Sequence, residues 1–157
     1  MAGRNDFRSI PNGTGGIEDR LSILWNYGVN EGKLSRSQFV EVTSTNAAKI
    51  FNVYPRKGAL QPGADADIIV WDPEATRTIS AATQYQKTDY NIFEGWEMKG
   101  VNKHTVLRGR VTFQDGVLDE EGLRGYGKYI PRPTHSRFFE QARRKHATRE
   151  ISAVARE

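Results

Sequence analysis

At 157 residues, with 37% hydrophobic, 10% aromatic and 27% charged side chains, the chain holds enough apolar material for one ordinary domain with a sizeable core. It has no cysteine, which excludes disulfides, thiolate nucleophiles and zinc–thiolate sites, and it has no apolar run near the ~18 residues of a membrane span. The net charge of +4 is modest, the N-terminus carries no apolar signal segment, and the expectation is a cytoplasmic protein.

Residues 1–9 are polar and read as loose. Ile10-Pro11-Asn12-Gly13-Thr14-Gly15-Gly16 is a glycine-rich loop, where the backbone can turn tightly and a ligand can approach main-chain groups. It is not a phosphate loop, because no Lys-Ser/Thr pair follows and G-x-G-G is not a dinucleotide fingerprint. From pattern alone, turn chemistry is the better reading. Residues 17–29 follow as an amphipathic helix, with Ile17, Leu21, Leu24, Trp25 and Gly28 on one face and Asp19, Ser22, Asn26 and Asn30 facing away. Asn30-Glu31-Gly32 ends it. Ser35 with Gln38 forms a capping box that opens a second helix through about Val42. A third short helix begins at Ser44 or Thr45, carries Ala47, Ala48, Ile50 and Phe51, and stops at Asn52 and Pro55.

Past a turn-rich passage with Gly58, Pro62 and Gly63, the period changes from 3.6 to 2. Ile68-Ile69-Val70-Trp71 is too short for a helix and too apolar for a loop, so it reads as a strand buried on both faces or nearly so, closed by Asp72-Pro73. Residues 76–79 form a second strand and 80–88 a polar connection. Aromatic and branched residues follow around Gly95 and Gly100. Residues 105–107 and 110–114 alternate, with Arg108-Gly109 between them and Asp115-Gly116 after them. The expectation is an antiparallel meander of short strands. Residues 122–127 make a glycine-rich exit, 129–133 are extended, and 138–154 read as a weak, charged helix. From His135 to the C-terminus there are six basic against three acidic residues, so the tail is basic and the body near neutral. Without aromatic or glycine interleaving this reads as a solvated or subunit-contacting helix, with neither nucleic acid nor membrane as partner.

The three histidines, His104, His135 and His146, show no H-x-H or H-x-x-x-H spacing, and surface or packing roles fit each. No serine sits in a nucleophile elbow. Asp65 and Asp67 lie between a turn glycine and a strand, where short acidic side chains cap backbone amides; that reading is preferred to paired catalytic carboxylates. The residues by themselves offer no catalytic group and no metal ligand set.

Five ordered blocks carry a resemblance: IPNGTGGIEDR (10–20), FVEVTSTNAAKIFNVYPRKG (39–58), GADADIIVWDP (63–73), YNIFEG (90–95) and GYGKYIPRP (125–133). Together they resemble the dihydropyrimidinase and D-hydantoinase branch of the amidohydrolases, over about residues 7–137. That branch also holds the non-catalytic collapsin response mediator proteins. The resemblance implies an α+β chain. Residues 1–57 would be the last loop and closing helices of a (β/α)₈ barrel, 58–118 the C-terminal strands of a small β-sandwich, and 119–157 an extended and helical tail at a subunit contact. It implies a zinc-dependent hydrolase, usually a homotetramer, that opens cyclic amides such as dihydrouracil or hydantoin in pyrimidine degradation. A barrel alone takes about 250 residues, more than this chain holds. The family's two-zinc ligands, an H-x-H pair, a carboxylated lysine, two further histidines and an aspartate, all precede the IPNG loop, and none of those positions is in this sequence. The expectation is therefore a C-terminal portion that binds no zinc and opens no ring alone. Asn12 is the one position that matches a substrate-binding residue, through its main-chain groups. Two other readings stay open: a non-catalytic oligomerisation or interaction module, and an independent small β-domain of shared ancestry.

Overall fold

A computed structural model describes residues 5–132. A single 3₁₀ turn, Phe7–Ser9, precedes the glycine-rich loop. Helix α1 runs Arg20–Leu24 and continues through a π-helical stretch, Trp25–Val29. It starts later than the periodicity predicts, because residues 17–19 form a turn, and Ile17 is 82% exposed. The polar face is turned inward in part. Asp19 and Ser22 are buried, against expectation, while Asn26 is half-buried, Asn30 is exposed, and these two grip one residue of the sheet. The Lys99 N–H donates to Asn26 Oδ1 (3.1 Å), and Asn30 Nδ2 donates to the Lys99 carbonyl (2.9 Å). Polar residues turn inward here because main-chain and side-chain partners await them, which removes the desolvation penalty.

Helix α2 opens on the predicted capping box: Ser35 Oγ accepts from the Gln38 N–H and Gln38 Oε1 accepts from the Ser35 N–H. The break predicted near Thr45 does not exist. Arg36–Val40, a π-helical stretch Glu41–Thr45 and Asn46–Ile50 form one continuous rod. Thr45 caps nothing; its hydroxyl donates to the Gly58 carbonyl at 2.9 Å. The end falls where expected. Asn52 takes a left-handed φ of 57°, the Asn52 N–H reaches the Lys49 carbonyl, and the Val53 N–H reaches the Ala48 carbonyl, a Schellman closure.

The sheet is antiparallel and four-stranded, in the order β1 (Ile68–Thr78), β2 (Glu97–Leu107), β3 (Arg110–Gln114), β4 (Val117–Leu118). The meander is as predicted, but its first two strands are long. Asp72-Pro73 does not close β1. Asp72 Oδ1 accepts from the Glu74 and Ala75 N–H groups, the register slips between Asp72 and Thr76, and the strand resumes. A bulge of this kind lets a strand carry proline without losing its direction. Both hairpins use left-handed pairs: Arg108 and Gly109 at φ 47° and 82°, Asp115 and Gly116 at 47° and 88°. Those values suit the twist of flanking strands.

The core lies between α1, α2 and one face of the sheet. Trp25 stacks edge-on against Phe39 with centroids 5.2 Å apart, and lies 5.4 Å from Trp71. The expectation that Ile68 to Trp71 is buried on both faces is not met: Ile69 and Val70 are 48% and 45% exposed. β1 is an edge strand, and among the described residues the helices cover only one face of it. At the far end Asp119 caps a short helix α3, Glu120–Leu123, which runs into the first residues of the expected glycine-rich exit. The predicted tail helix lies outside the described residues.

Candidate functional site

The glycine-rich loop leans on a ledge formed by residues 84–91. The Tyr90 hydroxyl donates to the Gly13 carbonyl at 3.0 Å. Gly15 faces the Gln86 amide so closely that an added Cβ would sit 3.1 Å from Oε1. One step on, Glu18 Oε2 accepts from the Tyr85 and Gln86 N–H groups at 2.8 and 3.0 Å. Asn12 stands exposed at the outer part of this loop, whose next carbonyl is the one held.

Beneath the loop a buried polar network joins helix, sheet and ledge. Asp19, 1% exposed, accepts from Arg77 Nη2 at 2.6 Å and from Asn91 Nδ2 at 2.7 Å. Asn91 also donates to Gln84 Oε1 and accepts from the Phe93 N–H. Gln84 Nε2 in turn donates to the Thr88 carbonyl at 2.7 Å. A carboxylate taken out of water is tolerated because a cation and an amide both bind it. Asp19 therefore serves as the hinge-pin between α1 and β1, a role that its place in the first helical turn did not reveal. The signal that could have found it was the pair of amides at Gln84 and Asn91, which supply donors and acceptors for a buried charge.

Asp65 and Asp67 are brought together as turn residues. Lys57 Nζ bonds both, Arg56 Nε bonds Asp65 at 3.1 Å, and Asp67 Oδ1 accepts from the Arg108 N–H at 2.8 Å. The hydrogen bond from Lys57 holds the Asp65 carboxyl below its ordinary value. Burial opposes the Lys57 charge, yet its bonds to Asp67 and Asp65 win and its value is raised. This is a clamp that ties the passage after α2 to the β2–β3 turn. His104 lies on β2, in register with Val70 and Gln114. His135 and His146 lie outside the described residues. Among the described residues no three of His, Asp or Glu converge into a group able to hold a metal.

Between α1 and the sheet runs an open groove of about 910 Å³, lined by Ile17, Leu21, Ile69, Val101, Phe113 and Leu118 among others. A profile of the amidohydrolase family matches residues 16–112, more than half of the chain. The chain belongs to the amidohydrolase family. Rat dihydropyrimidinase is 54% identical over 137 residues, 87% of this chain and 26% of that protein. Mouse dihydropyrimidinase-related protein 5 is 52% identical over 129 residues, 82% of this chain and 22% of that one. The solved D-hydantoinase (dihydropyrimidinase) from Thermus sp. is 45% identical, with a TM-score of 0.76 over 83% of this chain and 28% of its own. Within the family, this amidohydrolase chain is therefore dihydropyrimidinase- and hydantoinase-like. It spans about a quarter of the length of the relatives it matches. Among the described residues no helix is long and apolar enough to cross a membrane.

Proposed function

We propose that this chain works as the C-terminal part of a dihydropyrimidinase or hydantoinase, which adds water across a ring C–N bond of a cyclic amide to leave an open-chain carbamoyl acid. The observation that carries this reading is the 54% identity to a dihydropyrimidinase over 137 residues, 87% of this chain. Residues 1–57 belong to the end of a hydrolase barrel, 58–118 to the small β-sandwich and 119–157 to a subunit-contacting tail of a homo-oligomer. The loop at Asn12 presents its main-chain groups to the imide edge of the ring. In this reading two zinc ions serve the longer protein. The described residues do not fit such a group: Asp19, Asp65, Asp67 and Asp119 are engaged with Arg77, Lys57 and Arg110, and His104 stands apart on β2. What this chain supplies is the shape and hydrogen bonding of one wall of the pocket.

The apolar groove and the exposed edge of β1 support the same reading, since such surfaces call for further strands or helices. A second reading, a non-catalytic interaction module, draws on the 52% identity to dihydropyrimidinase-related protein 5. Metal analysis beside a ring-opening assay on dihydrouracil and hydantoin separates them. The 157-residue chain alone should hold no stoichiometric zinc and open neither ring, and a longer chain ending in these residues should do both. Zinc-dependent turnover by the short chain would move the catalytic centre into it. An inert longer chain that still assembles would favour the interaction module.

A further inference from the structure

We infer that Tyr90 is a positioning residue for the substrate-facing loop, acting through the Gly13 carbonyl; this rests on the reading of Asn12 given above. The loop has little of its own to hold it. Gly13 and Gly16 have no neighbour within reach of a Cβ, and no helix or strand is formed by residues 10–16. A glycine-rich segment of this kind loses more backbone freedom on ordering than any other. What fixes it is the ledge. The Tyr90 hydroxyl donates to the carbonyl of Gly13, the residue after Asn12, from 77 residues away in sequence.

Tyr90 is itself braced. Its carbonyl accepts from Thr88 Oγ1 at 3.0 Å, and its neighbour Asn91 is buried on Asp19. The phenol is thus aimed by the same network that pins α1 to β1. The hydroxyl acts on the Gly13 carbonyl and not on a substrate atom. It sets the orientation of the adjoining Asn12 peptide, so its loss should weaken substrate binding and leave the bond-making step alone. A residue that served only to hold the fold would instead lower stability and the amount of working protein, with KM unmoved.

Tyr90→Phe keeps the ring and removes the hydroxyl. Two settings are used. In the 157-residue chain, the carbonyl carbon of Gly13 is followed by NMR; loss of the hydrogen bond should move it upfield. In rat dihydropyrimidinase carrying this chain's residues in place of its own matched part, steady-state kinetics on dihydrouracil are compared with and without the substitution. The hydrogen bond predicts a KM raised about three- to tenfold, with kcat held within about twofold and the melting temperature unchanged. An unmoved Gly13 resonance overturns the inference. So does an unmoved KM, or a kcat that falls in step with the melting temperature. A graft that opens no dihydrouracil even with Tyr90 in place overturns the assignment of the loop to a substrate pocket, and the role of Tyr90 falls with it. An active graft with an indifferent Tyr90→Phe variant overturns the inference alone.

Discussion

Gly100 presses its bare α-carbon onto the indole of Trp25: a Cβ added there would fall 2.7 Å from Nε1, and φ at Gly100 is 109°. Helix and sheet approach this closely only because β2 carries no side chain at the crossing. Gly100→Ala should therefore destabilise the chain by about 3 kcal/mol, from overpacking against a buried ring and from a backbone region closed to L-residues. Urea unfolding followed by tryptophan fluorescence measures it. A variant as stable as the parent would mean that the close approach of Gly100 to Trp25 does not set how helix packs on sheet.

The Asp19–Arg77 pair makes a sharper test of what holds α1 to β1. Arg77→Met leaves a carboxylate 1% exposed with Asn91 alone to bind it among the described residues, a loss of about 3–5 kcal/mol. Asp19→Leu in addition should restore a good part of that, because two apolar groups in place of a buried pair are close to neutral. A double variant that is worse than Arg77→Met would show that the rest of the network, Gln84 and Asn91, depends on the carboxylate itself.

Acid should loosen the chain through its engaged carboxylates. Asp65, held low by Lys57, and Asp119, held low by the Gly122 N–H, both have folded values below the ordinary 3.8. Each contributes stability that is present above its unfolded value and is lost as pH falls through the folded one. Lys57 runs the other way. Its value is raised above 10.5, so its contribution is present below that pH and is lost as pH rises through the folded value. The melting temperature should be flat between these limits and fall outside them. Asp65→Asn should blunt the acid arm, and Lys57→Met the alkaline arm together with part of the acid arm.

Self-association is expected of the purified chain. Ile69 and Val70 are about half exposed on an edge strand, and Ile17 is 82% exposed beside the groove. Exposed apolar surface on a free strand edge invites pairing with a second copy. Sedimentation velocity at rising concentration should show oligomers. Ile69→Lys, which charges the edge strand, should shift the distribution toward monomer. A concentration-independent compact monomer for the parent chain would run against the proposal that this surface packs on the remainder of a longer protein.

What the sequence determined by itself was local. The change from period 3.6 to period 2 beyond Pro55, the Ser35–Gln38 capping box, the helix stop at Asn52 and the two hairpin turns each depend on residues a few positions apart, and each stands where the pattern put it. The family was legible for the same reason, in contiguous blocks. Tertiary structure decided the rest. Asp19 reads as solvent-facing from helical spacing, yet it is buried, because Arg77 and Asn91 arrive from 58 and 72 residues away to bind it. Thr45 reads as a cap, yet the chain returns at Gly58 to take its hydroxyl, and the helix runs on. Asp72-Pro73 reads as an end, yet pairing with β2 carries the strand past it. The loop at Asn12 is positioned by a phenol 77 residues distant. Periodicity reports which groups shun water, and it has no means of reporting which polar groups will find partners once the chain has folded back upon itself.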